Sequence, residues 1–190
     1  MMNTLGRQAF IAILSACFFM WPVVLLAQDA KMTNIIVTNT RDNLLLYLTV
    51  EDAFPPKIEN TINSGVPATF SFFIKLYSVR TLWKDKQTVD MTVTHTIKYD
   101  NLKKEYTVTR SGEEDQPISI KSFEEAKKLM ADIDSLTIVP LKQLEKGKQY
   151  QIRCKAKLSK LTLPFYLHYI LFFVSLWDFE TDWYTIYFIY

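Results

Sequence analysis

Side chains able to do chemistry are few in this chain and stand far apart. There are two histidines, His95 and His168, and two cysteines, Cys17 and Cys154. A histidine can act as base, acid or metal ligand, but neither has a carboxylate or a second histidine beside it. With one cysteine beyond residue 27, the donor set for zinc is poor. No metal site and no cofactor is expected, and His95 reads as a buried, hydrogen-bonded histidine. Cys154 shares an apolar alternation with Tyr150 and Ile152, while Arg153 and Lys155 project to the opposite face. A nucleophilic thiol needs an electropositive, accessible setting, so Cys154 reads as an inert core thiol. Glu113-Glu114-Asp115 lacks the regular ligand spacing of a cation loop and reads as a solvated turn. Asp178 and Asp182 flank Phe179 between two tryptophans. Paired carboxylates can serve as acid and base across a cleft, but aspartate favours turns, and the pair is read as marking a hairpin turn. There is no Gly-x-Ser-x-Gly elbow, and the four glycines leave no phosphate cradle. No catalytic residue is assigned, and the chain is not expected to be an enzyme.

Charge narrows the partners further. The 22 Lys and Arg and 20 Asp and Glu are interspersed, for a formal net charge of +2. That is no footprint for nucleic acid.

The elements that must hold these residues are mostly strands. Ile35-Ile36-Val37 and Leu44 to Val50, parted by turn-formers at 39–43, predict a hairpin. Pro55-Pro56 ends it, and a short helix over 57–63 follows, with Ile58 and Ile62 on one face and Gly65 as a left-handed cap. Phe70, Phe72, Ile74 and Leu76 then point one way. Val89, Met91, Val93, His95, Ile97 and Tyr99 alternate with polar residues, as in a half-buried antiparallel strand. Tyr106 to Thr109 is a further strand. Ser122 with Glu125 forms a capping box for a helix whose apolar stripe is Phe123, Ala126, Leu129, Met130 and Ile133. Leu136 to Val139 is extended, and Tyr150, Ile152, Cys154, Ala156 and Leu158 give the cleanest amphipathic strand. The expected fold is mainly β: an antiparallel sandwich, immunoglobulin-like in general architecture, with one or two short helices.

Residues 1–27 have a different composition. Arg7 precedes an apolar run up to Ala27, the layout of a secretory signal. Residues 9–27 are also long enough for an uncleaved membrane anchor. Leu14-Ser15-Ala16-Cys17 has the form of a lipobox that would lipidate Cys17, disfavoured because Phe18 to Trp21 follow it. All three readings export the remainder, a single β-rich domain over 28–190, to the periplasm or the outer face of the inner membrane. The N-terminal segment can hold it near the membrane.

The last 28 residues carry 12 of the 27 aromatics. They read as two central strands closing the sandwich, as a protein-interaction edge, or as membrane contact. Pro164 and His168 argue against a span. The candidate interaction or ligand surface is Phe165, Tyr166, Tyr169, Phe172, Phe173, Trp177 and Tyr190. Aromatic anchors of this kind dominate binding interfaces.

An ordered set of short motifs remains. Gly65-Val66-Pro67 leads to Phe70-x-Phe72, then Trp83 and Val89, Tyr99 with Glu105-Tyr106, and Ser122-Phe123-Glu124-Glu125-Ala126. Leu144-x-x-Gly147-x-x-Tyr150, Leu163-Pro164, Trp177-Asp178 and Asp182-Trp183-Tyr184 complete it. In that order they resemble the DUF4390 family, bacterial exported domains of unknown function. The resemblance implies a β-rich envelope domain and no established reaction. A sensor-kinase gene near some members hints at envelope signalling. It also implies that Trp177-Asp178 and Asp182-Trp183-Tyr184 close the core, and residues 165–173 are where this chain departs from the pattern. The functional expectation is a non-catalytic binding domain for an envelope protein partner; the alternative is a carrier of lipid or another apolar ligand.

Overall fold

Period-two apolar runs become strands in the computed structural model, which describes residues 30–112, 116–159 and 180–190. In chain order these residues form β1 (Lys31–Asn39), β2 (Asn43–Glu51), α1 (Pro56–Asn63), β3 (Ala68–Ser78), β4 (Lys86–Asp100) and β5 (Glu105–Arg110). There follow β6 (Ile118–Ile120), α2 (Phe123–Ala131), β7 (Asp132–Pro140), a 3-10 turn at Leu141–Gln143, β8 (Gln149–Ser159) and β9 (Tyr184–Ile189). Two antiparallel sheets result. One is three-stranded in the order β1-β2-β7, the other six-stranded in the order β6-β5-β4-β3-β8-β9. The fold is mainly β and sandwich-like, as the alternation predicts.

One continuous core joins the two sheets. Phe70, Phe72, Ile74 and Leu76 of β3 are fully buried, and across the register sit Leu158, Ala156, Cys154 and Ile152 of β8. Leu44, Leu46, Leu48 and Val50 supply the same core from β2. Each large side chain so buried contributes about 1.5–3 kcal/mol. Aromatics carry the packing to the helices. Phe54 meets Phe70 and Phe123 at ring-centroid distances of 5.4 and 6.2 Å, and Tyr106 meets Phe123 at 5.4 Å. Helix α1 buries Ile58 and Ile62, and Asn63 at its end accepts a 2.6 Å hydrogen bond from the Tyr106 hydroxyl. Gly65 then turns the chain with φ of +91°, the left-handed cap that its sequence position predicts.

The second helix starts as read: the Ser122 hydroxyl accepts from the Glu125 N–H at 3.4 Å. It ends earlier. Ile133, placed by the sequence on the helical stripe, lies in β7 opposite Leu48, and Asp132 is already extended opposite Thr49. Pairing to β2 outweighs one more turn of a short helix, which is marginal by itself. A left-handed Ser135 accompanies the register shift that follows, so β7 covers β2 along its length.

The C-terminal strand differs more. Sequence alternation without a polar face predicts a central strand. Among the described residues β9 is the last strand of its sheet, paired to β8. Phe188 turns inward and stacks on Tyr150 at 5.7 Å, whereas Tyr187 and Ile189 stand exposed on the other face.

Candidate functional site

The outward face of the six-stranded sheet, from β3 through β8 to β9, combines cations with aromatic rings. Register fixes the rows: Phe73 lies across from Lys155, Lys75 from Arg153, and Gln151 from both Tyr77 and Tyr187. Trp183, just before β9, is laid over two ammonium groups, with Lys75 Nζ and Lys155 Nζ at 5.6 and 5.7 Å from its ring. Both lie within the ~6 Å reach of a cation–π contact. Buried Thr181 holds the indole there, because its N–H donates to the Ala156 carbonyl at 2.9 Å and its hydroxyl accepts from the Ala156 N–H at 3.0 Å. Glu180 pairs with Lys155 at 2.9 Å and Lys157 at 3.7 Å, and the Lys155 hydrogen bond holds its carboxyl below the usual range.

One row along, the Arg153 guanidinium sits 5.0 Å from the Tyr77 ring and donates to Gln151 Oε1. Gln151 is buried although it lies on the polar side of its strand. Its amide donates to the Asp85 carboxylate, which folds the β3–β4 connection over it. On this face Trp183, Tyr187 and Ile189 keep 45%, 59% and 75% of their surface in solvent. The set offers aromatic faces and fixed cations, the groups that anchor recognition surfaces.

A cleft of about 550 Å³ is lined by Ala30 to Met32 and Glu180 to Tyr184, beside the indole. Another, of about 590 Å³, lies between β2 and α2; Asp52, Phe54, Glu124, Lys127, Lys128 and Asp132 are among its walls. Among the described residues no group of three or more His, Cys, Asp or Glu side chains is placed to hold a metal ion. No helix among them is long and apolar enough to cross a membrane.

The motif order read from the sequence has its counterpart in a family comparison: DUF4390, a domain of unknown function, matches residues 27–187. The chain belongs to the DUF4390 family. No curated protein and no solved structure matches it.

In this DUF4390 domain His95 lies deep in the core, 2% exposed, with Nδ1 3.1 Å from the Met130 carbonyl. That geometry assigns the Nδ1–H tautomer, donating to Met130. Burial, reinforced by the Arg110 charge, pushes its pKa down to about 4, so the ring stays neutral. Arg110 is itself buried and donates to the Asp132 carbonyl at 3.1 Å. Cys154 is buried as well, and burial pushes its thiol up to about 12. Both are core residues.

Of the aromatic candidates, Tyr190 lies within the described residues. It is half-buried against the core, its N–H donates to the Lys148 carbonyl at 3.1 Å, and its carbonyl accepts from the Gly147 N–H. Phe165, Tyr166, Tyr169, Phe172, Phe173 and Trp177 lie outside the described residues, as do His168, Asp178, the 113–115 cluster, Cys17 and the 1–27 segment. Trp183 is a correction: the family pattern implied a core role, yet the indole sits half-exposed on the outward face, where two lysines meet its π surface. Sequence reading missed the exposed Leu82-Trp83 pair. The signal was available, since Trp83 directly precedes the Lys84-Asp85-Lys86 turn.

Proposed function

We propose that this DUF4390 chain is an exported cell-envelope domain, in the periplasm or on the outer face of the inner membrane, that works by binding and not by catalysis. Its partner is an envelope protein, in keeping with a role in envelope signalling, and the contact runs along the outward side of β9. The observation that carries this reading is the row Trp183, Tyr187 and Ile189, exposed beside Lys155 and Arg153. Exposed aromatic rings beside Arg153 at the border of a sheet match the enrichment of aromatics and arginine at interface centres. Replacing Tyr187 by a photo-crosslinking residue in the native host tests it. A discrete adduct with one envelope protein is expected from position 187 and none from Lys142 on another surface. The adduct should vanish with Ile189→Ser while the melting temperature holds. Absence of a position-specific adduct removes the reading.

The cleft beside Trp183 favours a second reading, a carrier of a small apolar ligand. Its volume, about 550 Å³, falls within the usual range for ligand sites. Native mass spectrometry of protein from its host distinguishes the two: a co-purifying lipid displaced by Trp183→Ala supports the carrier.

A further inference from the structure

The connection from β3 to β4 raises two apolar side chains into solvent, Leu82 at 88% and Trp83 at 80% exposed. Arg80, Lys84 and Lys86 surround them, all exposed. Backbone pairing brings a second basic turn to the same end of the sheet. The Val79 N–H donates to the Gln149 carbonyl at 2.9 Å, and Lys146 and Lys148 stand just before Gln149. The nearby carboxylates are already engaged. Asp85 accepts from the Arg80 N–H at 3.1 Å and from the Gln151 amide, and Glu145 pairs with Lys148 at 2.6 Å. Among the described residues no carboxylate pairs with the side chains of Arg80, Lys84, Lys86 or Lys146.

We propose that this end of the sheet docks on an anionic lipid bilayer, with Leu82 and Trp83 at headgroup depth and the four cations against lipid phosphates. An indole has an apolar body and a polar N–H and favours the membrane interface. Two apolar side chains on a projecting tip fall well short of the roughly 1,000 Å² that a stable protein interface buries. A bilayer accepts such a tip without a complementary pocket, and its anionic phosphates match the unpaired cations. At the far end of β4, Leu102 is also exposed beside Lys103 and Lys104, but no aromatic accompanies it and the Asp100 carboxylate is folded into that turn. It serves as the control.

The test uses the full chain with phosphatidylcholine vesicles carrying brominated acyl chains, with and without phosphatidylglycerol. The Trp83 contribution to quenching is the difference between wild type and Trp83→Phe, which removes the other three tryptophans from the reading. Quenching of that component is expected on anionic vesicles, weak on neutral ones and suppressed by salt. Neutralising two cations with Arg80→Gln and Lys84→Gln should lower the docking equilibrium of the tip roughly 30-fold, while Leu102→Ser leaves it unchanged. Equal quenching on neutral vesicles would mean that the N-terminal segment drags the domain to the lipid. Lipid-independent burial of Trp83 that grows with protein concentration would assign the tip to a second copy. Either result, or no quenching of Trp83 at all, overturns the proposal.

Discussion

Lowering the pH from 7.5 to 5.0 should cost this domain about 2 kcal/mol of stability through His95 alone. The ring is 2% exposed and its pKa falls from 6.5 to about 4 on folding, chiefly because burial disfavours the cation and secondarily because Arg110 lies nearby. Between those two values the unfolded chain binds a proton that the folded chain refuses. Stability is therefore complete above pH 6.5 and drains away as the pH falls toward 4, where the slope ends. At pH 5 most unfolded histidine is protonated and little of the folded histidine is, which gives about 2 of the roughly 3.4 kcal/mol available for a shift of this size. The window stops short of the pH at which most carboxylates titrate. Urea denaturation at a series of pH values measures it. The comparison variant is His95→Asn, whose amide can still donate to the Met130 carbonyl; it should be less stable at pH 7.5, through lost volume, but lose less stability on acidification. Parallel slopes in the two proteins would refute the reasoning, since the histidine would then be titrating alike in both states.

Three further outcomes follow from single groups. With Cys17→Ser leaving one thiol, Cys154 should resist a thiol reagent up to about pH 9 and react fully on denaturation, because a buried thiol held near 12 is neither charged nor reachable; rapid labelling of the native form contradicts this. Gly65→Ala should destabilise by about 1–2 kcal/mol, since φ is +91° and the new Cβ would lie 2.9 Å from Asn101 Nδ2. Gly112→Ala, at φ of +88° in open space, should cost about the same, because the exposed Asn101 amide near Gly65 can swing aside; an unchanged denaturation midpoint in either variant would remove the backbone strain from the account. Thr33→Val should stabilise by about 1 kcal/mol, because the Thr33 hydroxyl is buried without a hydrogen-bond partner; a lower urea midpoint would show that the hydroxyl is satisfied.

Much of the scaffold was legible because the signals were local. Phe70, Phe72, Ile74 and Leu76 repeat at the pleat of a strand, and all four are fully buried. Ser122 caps α2 through a contact three residues away, and Gly65 takes the conformation that glycine alone adopts freely. His95 and Cys154 announced themselves as core residues by parity alone. Ile133 could not be placed that way, because a helical stripe and a strand partner for Leu48 look the same in one sequence. Gln151 has strand parity for solvent and is buried, since Asp85 arrives from 66 residues away to accept its amide hydrogen.

The surface divides along the same line. From the amino-acid order alone come an aromatic-rich ending, interspersed charge, an apolar N-terminal run behind Arg7 and no spaced set of metal ligands or nucleophiles. Tertiary structure decided which aromatics face water. Trp183 left the core for two lysines drawn from different strands, and Trp83 was left exposed at a tip that gathers cations from two separate turns. Parity sets which face of a strand a side chain occupies, and that is written along the chain. Whether the face is covered depends on the sheet order and on what folds over it, and those are fixed by residues far away in sequence.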